Sequence, residues 1–174
     1  MLIVMAGLPG AGKSALSVEL ARDLGCALLS VDPVEAVMWR AGISRDQPTG
    51  LAAYVVVEAL AREQLSVGND VIVDAVNDVE PAGRRWRSLA DDLDVPLAFV
   101  EVRCSDEQEH RRRLAARHRD IPGFPEPSWA SVRARRAAFE DWEDERLRVD
   151  SMRPRAANLE TTLEYLARRR APLA

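Results

Sequence analysis

Lysine is nearly missing from this chain. Of 24 basic residues among 174, 23 are arginine and one is Lys13. Cysteine and histidine are almost as scarce, at two each. Cys26 and Cys104 are too few for a disulfide-stapled scaffold and lack metal-ligand spacing, so both are expected as buried thiols. His110 and His118 lie in an arginine-rich helical stretch and are expected on a solvated face rather than at a metal or a catalytic centre. No run reaches the roughly 18 apolar residues of a membrane span. Met1 leads directly into an apolar run and then glycines, so no signal peptide is expected. A net charge of −4 gives no bulk attraction to nucleic acid or anionic lipid. These absences point to a cytoplasmic chain, and they leave self-association as a homo-oligomer open.

What is present is an ordinary globular mixture, 47% apolar and 30% charged, long enough for one domain over residues 1–174. Apolar, β-rich runs alternate with helical patterns, as in a parallel α/β sheet. Leu2–Ala6 reads as a buried central strand and Lys13–Leu24 as a helix stopped by Gly25, with Ala27–Ser30 as a second strand. Asp32-Pro33-Val34-Glu35 predicts a helix start with Asp32 as N-cap, ending near Gly42. Leu51–Val67 predicts a helix apolar on almost every side, hence buried or pocket-lining. Further strands are expected at Val71–Val76, Leu97–Cys104 and Leu147–Ser151. Helices are expected over Glu80–Leu93, from a Ser105 capping box to about Arg119, and over Trp129–Asp141 and Asn158–Arg169.

The first strand runs into Gly7-Leu8-Pro9-Gly10-Ala11-Gly12-Lys13-Ser14, a match to GxxxxGK[ST]. Glycines let successive backbone N–H groups curl around phosphate oxygens, and the helix that follows aims its positive end at the same anion. Lys13 supplies a mobile charge for the β- and γ-phosphates, and the Ser14 hydroxyl is expected on Mg²⁺. The expected fold class is therefore an α/β P-loop NTPase three-layer sandwich, with a five-stranded parallel sheet, helices on both faces and a helical lid near residues 105–128.

The remaining sequence narrows the reaction. With one lysine, the Asn-Lys-x-Asp guanine reader of a GTPase cannot be built. A mechanical ATPase would end a later strand in Asp-Glu, whereas this chain reads Val73-Asp74-Ala75. A small kinase remains, which needs an acceptor base and a cationic lid. Asp32, at the end of the second strand, is placed to take the proton of an attacking hydroxyl, or merely to cap its helix. Asp74 is expected at Mg²⁺, at the acceptor or in a strand-end hydrogen bond, and Asn77 at the acceptor. Arg113 and Arg117 share one helix face and, with Arg119, are expected on triphosphate oxygens, Arg117 acting in transfer. Met38, Trp39 and Tyr54, with Val34, Val55 and Glu58, form a mostly apolar wall suited to a small hydroxylated acceptor, though Met38 and Trp39 are equally readable as core. Few cations lie nearby, so a nucleic-acid acceptor is not expected.

These residues resemble the P-loop small-molecule kinases that group chloramphenicol phosphotransferase, the phage-type polynucleotide 5′-kinase and zeta-toxin-like kinases. The likeness is greatest to chloramphenicol phosphotransferase. It is carried by Val31-Asp32-Pro33-Val34-Glu35-Ala36, Arg85-Trp86-Arg87-Ser88, Asp92-Leu93-Asp94-Val95, Val102-Arg103-Cys104, Ala116-Arg117-His118-Arg119-Asp120 and Val149-Asp150-Ser151. The stretch Pro122–Trp142 departs from it. The resemblance implies ATP-dependent phosphorylation of a hydroxyl with Asp32 as base, and adenine near the loop after Asp150 with Arg153 or Arg155 stacked on it. The acceptor this suggests is an antibiotic or a nucleoside-like natural product. A polynucleotide or central-metabolite kinase is the alternative within the class. An ATP-dependent toxin or switch acting through a protein partner is the alternative outside it.

Overall fold

Leu2–Ala6 offers water no polar face and forms β1, whose five residues are all fully buried. The structure is a computed structural model and describes residues 1–77, 80–117, 126–140 and 142–170. Four more strands join β1: β2 (Ala27–Ser30), β3 (Val71–Asp74), β4 (Leu97–Arg103) and β5 (Arg146–Asp150). All pairings are parallel, in the order β2-β3-β1-β4-β5. The helices are α1 (Lys13–Leu24), α2 (Val31–Arg40), α3 (Thr49–Ser66), α4 (Glu80–Asp92), α5 (Glu107–Ala115), α6 (Trp129–Ala134), α7 (Arg136–Glu140) and α8 (Arg155–Arg170).

Strand side chains alternate, so each central strand feeds two cores. Leu2, Val4, Val71, Val73 and Phe99 pack with α3 and with Trp86, Leu89 and Ala90 of α4. Ile3, Met5, Ile72, Val100 and Val102 pack with Leu16 and Leu20 of α1 and Tyr165 and Leu166 of α8. The register is what assembles a site. Met5 pairs with Asp74, which also pairs with Ser30, so the ends of β1, β3 and β2 stand level. The chain leaves β1 toward β2 and leaves β4 toward β5, on opposite sides, which opens a crevice at the strands' carboxyl ends.

Several sequence expectations need correction. Asp32 is not an N-cap: β2 runs to Ser30, α2 starts at Val31, and Asp32 sits inside the first turn. Pro33 is accommodated there because first-turn N–H groups have no intrahelical partner to lose. The helix from residue 105 starts later and stops sooner than expected. Asp106 is its cap, accepting from the Glu109 N–H, and Arg117 follows in the next turn, its N–H on the Leu114 carbonyl. The helix expected over residues 129–141 breaks at Arg135 into α6 and α7. α3 is not buried all round. The stripe Ala53, Val57, Ala61 and Leu65 is buried, whereas Leu51 (60% exposed), Val55, Val56 and Leu60 face out. Both cysteines are unpaired thiols, Cys104 buried and Cys26 half-buried. Among the described residues no helix is long and apolar enough to cross a membrane.

Candidate functional site

The turn from β1 into α1 exists because of two glycines. Gly7 adopts φ 144°, and a Cβ there would stand 2.4 Å from the Val102 carbonyl oxygen of β4. Only hydrogen fits, and this lets the Gly7 N–H reach the Val76 carbonyl at 3.1 Å. Gly12, at φ 100°, precedes α1 with no side-chain cap. The first-turn N–H groups of α1 therefore keep their donor capacity toward the crevice.

A cleft of about 430 Å³ opens over this turn. It is lined by Leu8, Pro9, Gly10, Gly12, Lys13 and Ser14 of the loop, by Ser30 and Asp32 from β2–α2, and by Asp74 from β3. Arg113 and Arg117 line it from the α5 side. Four separate segments of chain thus bring a lysine, two carboxylates, two serine hydroxyls and two guanidiniums to one cavity.

Inside it, the Lys13 ammonium is ion-paired to Asp74, with the lysine side chain 11% exposed and the carboxylate 6%. Ser14 is exposed at the start of α1, and Asp32 is half-buried. Arg113 is fixed at both ends of its guanidinium. Its Nε donates to Glu109 Oε1 at 2.8 Å, and its Nη1 donates to Ser151 Oγ at 2.8 Å. Hydrogen bonds from Arg112 and Arg113 hold the Glu109 carboxyl down at about 2. Arg117 Nη1 lies 3.7 Å from Glu126 Oε2. Arg119 lies outside the described residues. Arg153 is exposed in the turn after β5, its N–H on the Asp150 carbonyl. Burial pushes the Asp150 carboxyl up, but hydrogen bonds from Ser105 and from the Met152 N–H outweigh it and leave it below its ordinary value.

The expected acceptor residues divide differently. Asn77 is not available to an acceptor. It is 3% exposed at φ 52°, its Nδ2 donates to the Met5 carbonyl at 2.8 Å, and its Oδ1 accepts from Trp86 Nε1 at 3.0 Å. It fastens the end of β1 to α4, with the Tyr54 hydroxyl accepting from its N–H. Met38 and Tyr54 pack against the core. Trp39 donates to Thr49 Oγ1, which in turn donates to Glu35, and the Arg45 guanidinium covers its ring. None of Met38, Trp39 and Tyr54 is among the described residues lining the cleft.

His110 overturns the solvated-face expectation. It is 2% exposed, its Nε2–H donates to the Pro9 carbonyl at 2.8 Å, and its ring meets Trp129 edge-on at 5.3 Å. Burial pushes its imidazole below the ordinary value, against the opposing pull of the Pro9 bond. The sequence signal was there: His110, Arg113, Leu114 and Arg117 have the i, i+3, i+4, i+7 spacing of an inward helix face. His118 lies outside the described residues.

A metal ion would have to be held largely by its other ligands, since no group of three or more His, Cys, Asp or Glu among the described residues could hold one. Ser14 and Asp74 in one cleft fit Mg²⁺, which takes one or two protein oxygens beside phosphates and waters.

A family model described as AAA domain matches residues 2–140. No curated protein matches the sequence significantly. Among solved structures, Kti12 of Chaetomium thermophilum in complex with ADP-AlF3 superposes with a TM-score of 0.74 at 15% identity, covering 98% of this chain and 100% of that one. A gluconokinase from Sinorhizobium meliloti 1021 gives 0.66 at 21% identity, covering 97% and 92%. The Mycobacterium tuberculosis APS kinase CysC in complex with AMPPNP and APS gives 0.67 at 16% identity, covering 95% and 96%. These likenesses show that the α/β fold expected from the sequence is the fold adopted.

Proposed function

For a chain that belongs to the AAA domain family, we propose the activity of an ATP-dependent phosphotransferase that moves the γ-phosphoryl group to a hydroxyl of a small molecule. One observation carries this reading: Lys13, Ser14, Asp32, Asp74, Arg113 and Arg117 line a single cleft over the glycine turn. The turn and the N-terminus of α1 cradle the phosphates. Lys13 leaves Asp74 for the phosphate oxygens, while Arg113 and Arg117 take up charge on the group in transit. Asp32, across the cleft, accepts the proton of the attacking hydroxyl. Bound Mg²⁺, held by Ser14 and Asp74, would neutralise phosphate charge. The lid is the segment 105–128, with Arg119 a further phosphate contact and Arg153 beside the adenine.

The resemblance to chloramphenicol phosphotransferase supports an antibiotic or nucleoside-like acceptor. The likeness to a gluconokinase and an APS kinase places sugar acids and activated sulfates beside it in any panel. The test is ADP release over such a panel, followed by Asp32→Asn on the best acceptor. As a first-turn carboxylate, Asp32 contributes about 0.3–1 kcal/mol to its helix. As a general base it contributes roughly 10²–10⁴-fold in rate. A rate loss of that size with nearly unchanged melting supports the assignment, and undiminished transfer removes it.

A second reading rests on the outward apolar strip of α3, Leu51, Val55, Val56 and Leu60. Such a strip suits an ATP-dependent switch or toxin that works through a protein partner. Stable co-purification with a partner, together with no ADP release on any acceptor, would favour it.

A further inference from the structure

We propose that His110 is a positioning residue that holds the phosphate loop in its curled form and ties it to α5. The inference rests on the reading of the cleft as a nucleotide site, and deepens it.

The loop carbonyls face a general difficulty. A backbone that turns its N–H groups inward toward an anion turns some carbonyls outward, and each needs a donor. For Pro9 that donor is a side chain, His110 Nε2–H, 101 residues away in sequence. The contact is more than one hydrogen bond. A Cβ added at Gly10 would stand 3.3 Å from His110 Cδ2 and from the Cα and Cβ of Leu114, so ring and helix lie directly against the loop. Trp129 of α6 packs edge-on against the same ring. One helical turn on, Arg113 donates to Ser151 Oγ, and a Cβ at Gly12 would stand 3.2 Å from Ser151 Cβ. α5 thus grips the loop at Pro9–Gly10 through His110, and near Gly12 through Arg113 and Ser151. Arg117, the next inward position, lines the cleft itself. The helix that presents the cations and the loop that presents the N–H groups are therefore set relative to each other by His110.

The group that matters is the donor at Nε2, and side chains can separate it from the ring. His110→Gln keeps an N–H donor at the same number of bonds from the backbone. His110→Phe keeps the ring, the burial and the edge contact with Trp129, and loses the donor. His110→Asn keeps a donor one bond short. Two measurements are made on the full chain: the affinity for a fluorescent ATP analogue, and amide hydrogen exchange of the peptide spanning residues 8–13 without nucleotide. Losing one net hydrogen bond is expected to weaken nucleotide binding roughly five- to tenfold in His110→Phe and His110→Asn, and to speed loop exchange by a similar factor. His110→Gln is expected within about threefold of wild type in both.

Wild-type loop exchange in a stably folded His110→Phe protein overturns the proposal, as does a His110→Gln protein no better than His110→Asn. If His110→Phe fails to fold, the Gln–Asn comparison decides. If the wild-type chain binds no ATP analogue, the nucleotide reading fails, while loop exchange still decides whether His110 holds the loop.

Discussion

The Lys13–Asp74 pair makes the sharpest quantitative demand. Both side chains are largely withdrawn from water, at 11% and 6% exposure. Asp74 stands at the end of β3 beside Met5 and Ser30, so it cannot follow the lysine outward. Asp74→Asn keeps the shape and removes the charge, which strands the Lys13 ammonium. Removing one partner of a buried pair costs about 3–5 kcal/mol, and the residual exposure of Lys13 places this case near the lower end. For a chain of this size each kcal/mol lowers the melting temperature by roughly 2–4 °C, so a drop of about 6–12 °C is expected in the empty protein. ATP supplies the missing anion. With a chelator present, so that metal binding does not enter, saturating ATP is expected to raise the melting temperature of Asp74→Asn by more than that of wild type. In wild type the same ligand must first separate the pair. Melting curves followed by circular dichroism, with and without ATP, measure both. A variant that melts within about 2 °C of wild type, or gains no more from ATP, refutes the reasoning.

Lys13→Arg, mild elsewhere, is expected to lower phosphoryl transfer by at least roughly 10²-fold while the circular dichroism spectrum is retained, because a planar guanidinium cannot replace a compact ammonium in the cradle; transfer rates with the identified acceptor check it. Gly7→Ala and Gly68→Ala both put a side chain at positive φ, but only at Gly7 would the Cβ meet a backbone oxygen at 2.4 Å, Gly68 having nothing within 4 Å. Gly7→Ala is therefore expected to cost at least about 1–3 kcal/mol more in denaturant titrations. Burial holds the His110 imidazole below its ordinary value, so the native state binds fewer protons there than the unfolded chain, and stability is full above about pH 6.5 and falls as pH drops below it. Arg113 and Arg136 reinforce that direction and Glu107 opposes it. Unfolding titrations between pH 7.5 and pH 5 are expected to show a shallower slope in His110→Gln than in wild type.

The sheet was legible because its signals are local. β1, α1 and β2 fall on the boundaries the sequence predicts, since a fully apolar five-residue run, a glycine stop and a second short run need no distant partner to be read. The loop was legible for the same reason, since its glycine spacing lies within eight consecutive residues. Burial of α3 is not legible in its composition, because apolar residues show that a helix can be covered on all sides, not that the fold has enough surface to cover it. The place of Asn77 is not legible either, because a polar residue after a strand end looks alike whether it faces the crevice or, as here, uses its amide to join β1 to α4.

α5 shows why the other half of the site was harder to read. Residue type alone picks out its arginines as functional and leaves its histidine as background. The helix weighs them by angle. Positions 110, 113 and 114 share one inward face of α5, which Arg117 continues just past the helix end, and Leu114 is the only apolar member and the only one that a hydrophobic pattern detects. An inward stripe made mostly of polar residues is costly unless each has a partner. Partners are what the structure supplies: the Pro9 carbonyl for His110, Ser151 and Glu109 for Arg113, and Glu126 near Arg117. Two of those partners belong to segments far away in sequence, the phosphate loop and the turn after β5. A helix whose inward polar groups find partners in the glycine loop and in the turn after β5 cannot shift without moving those segments or stranding a buried polar group. Stranding such a group costs about 1–3 kcal/mol, and that cost couples the position of α5 to the conformation of the loop at Pro9.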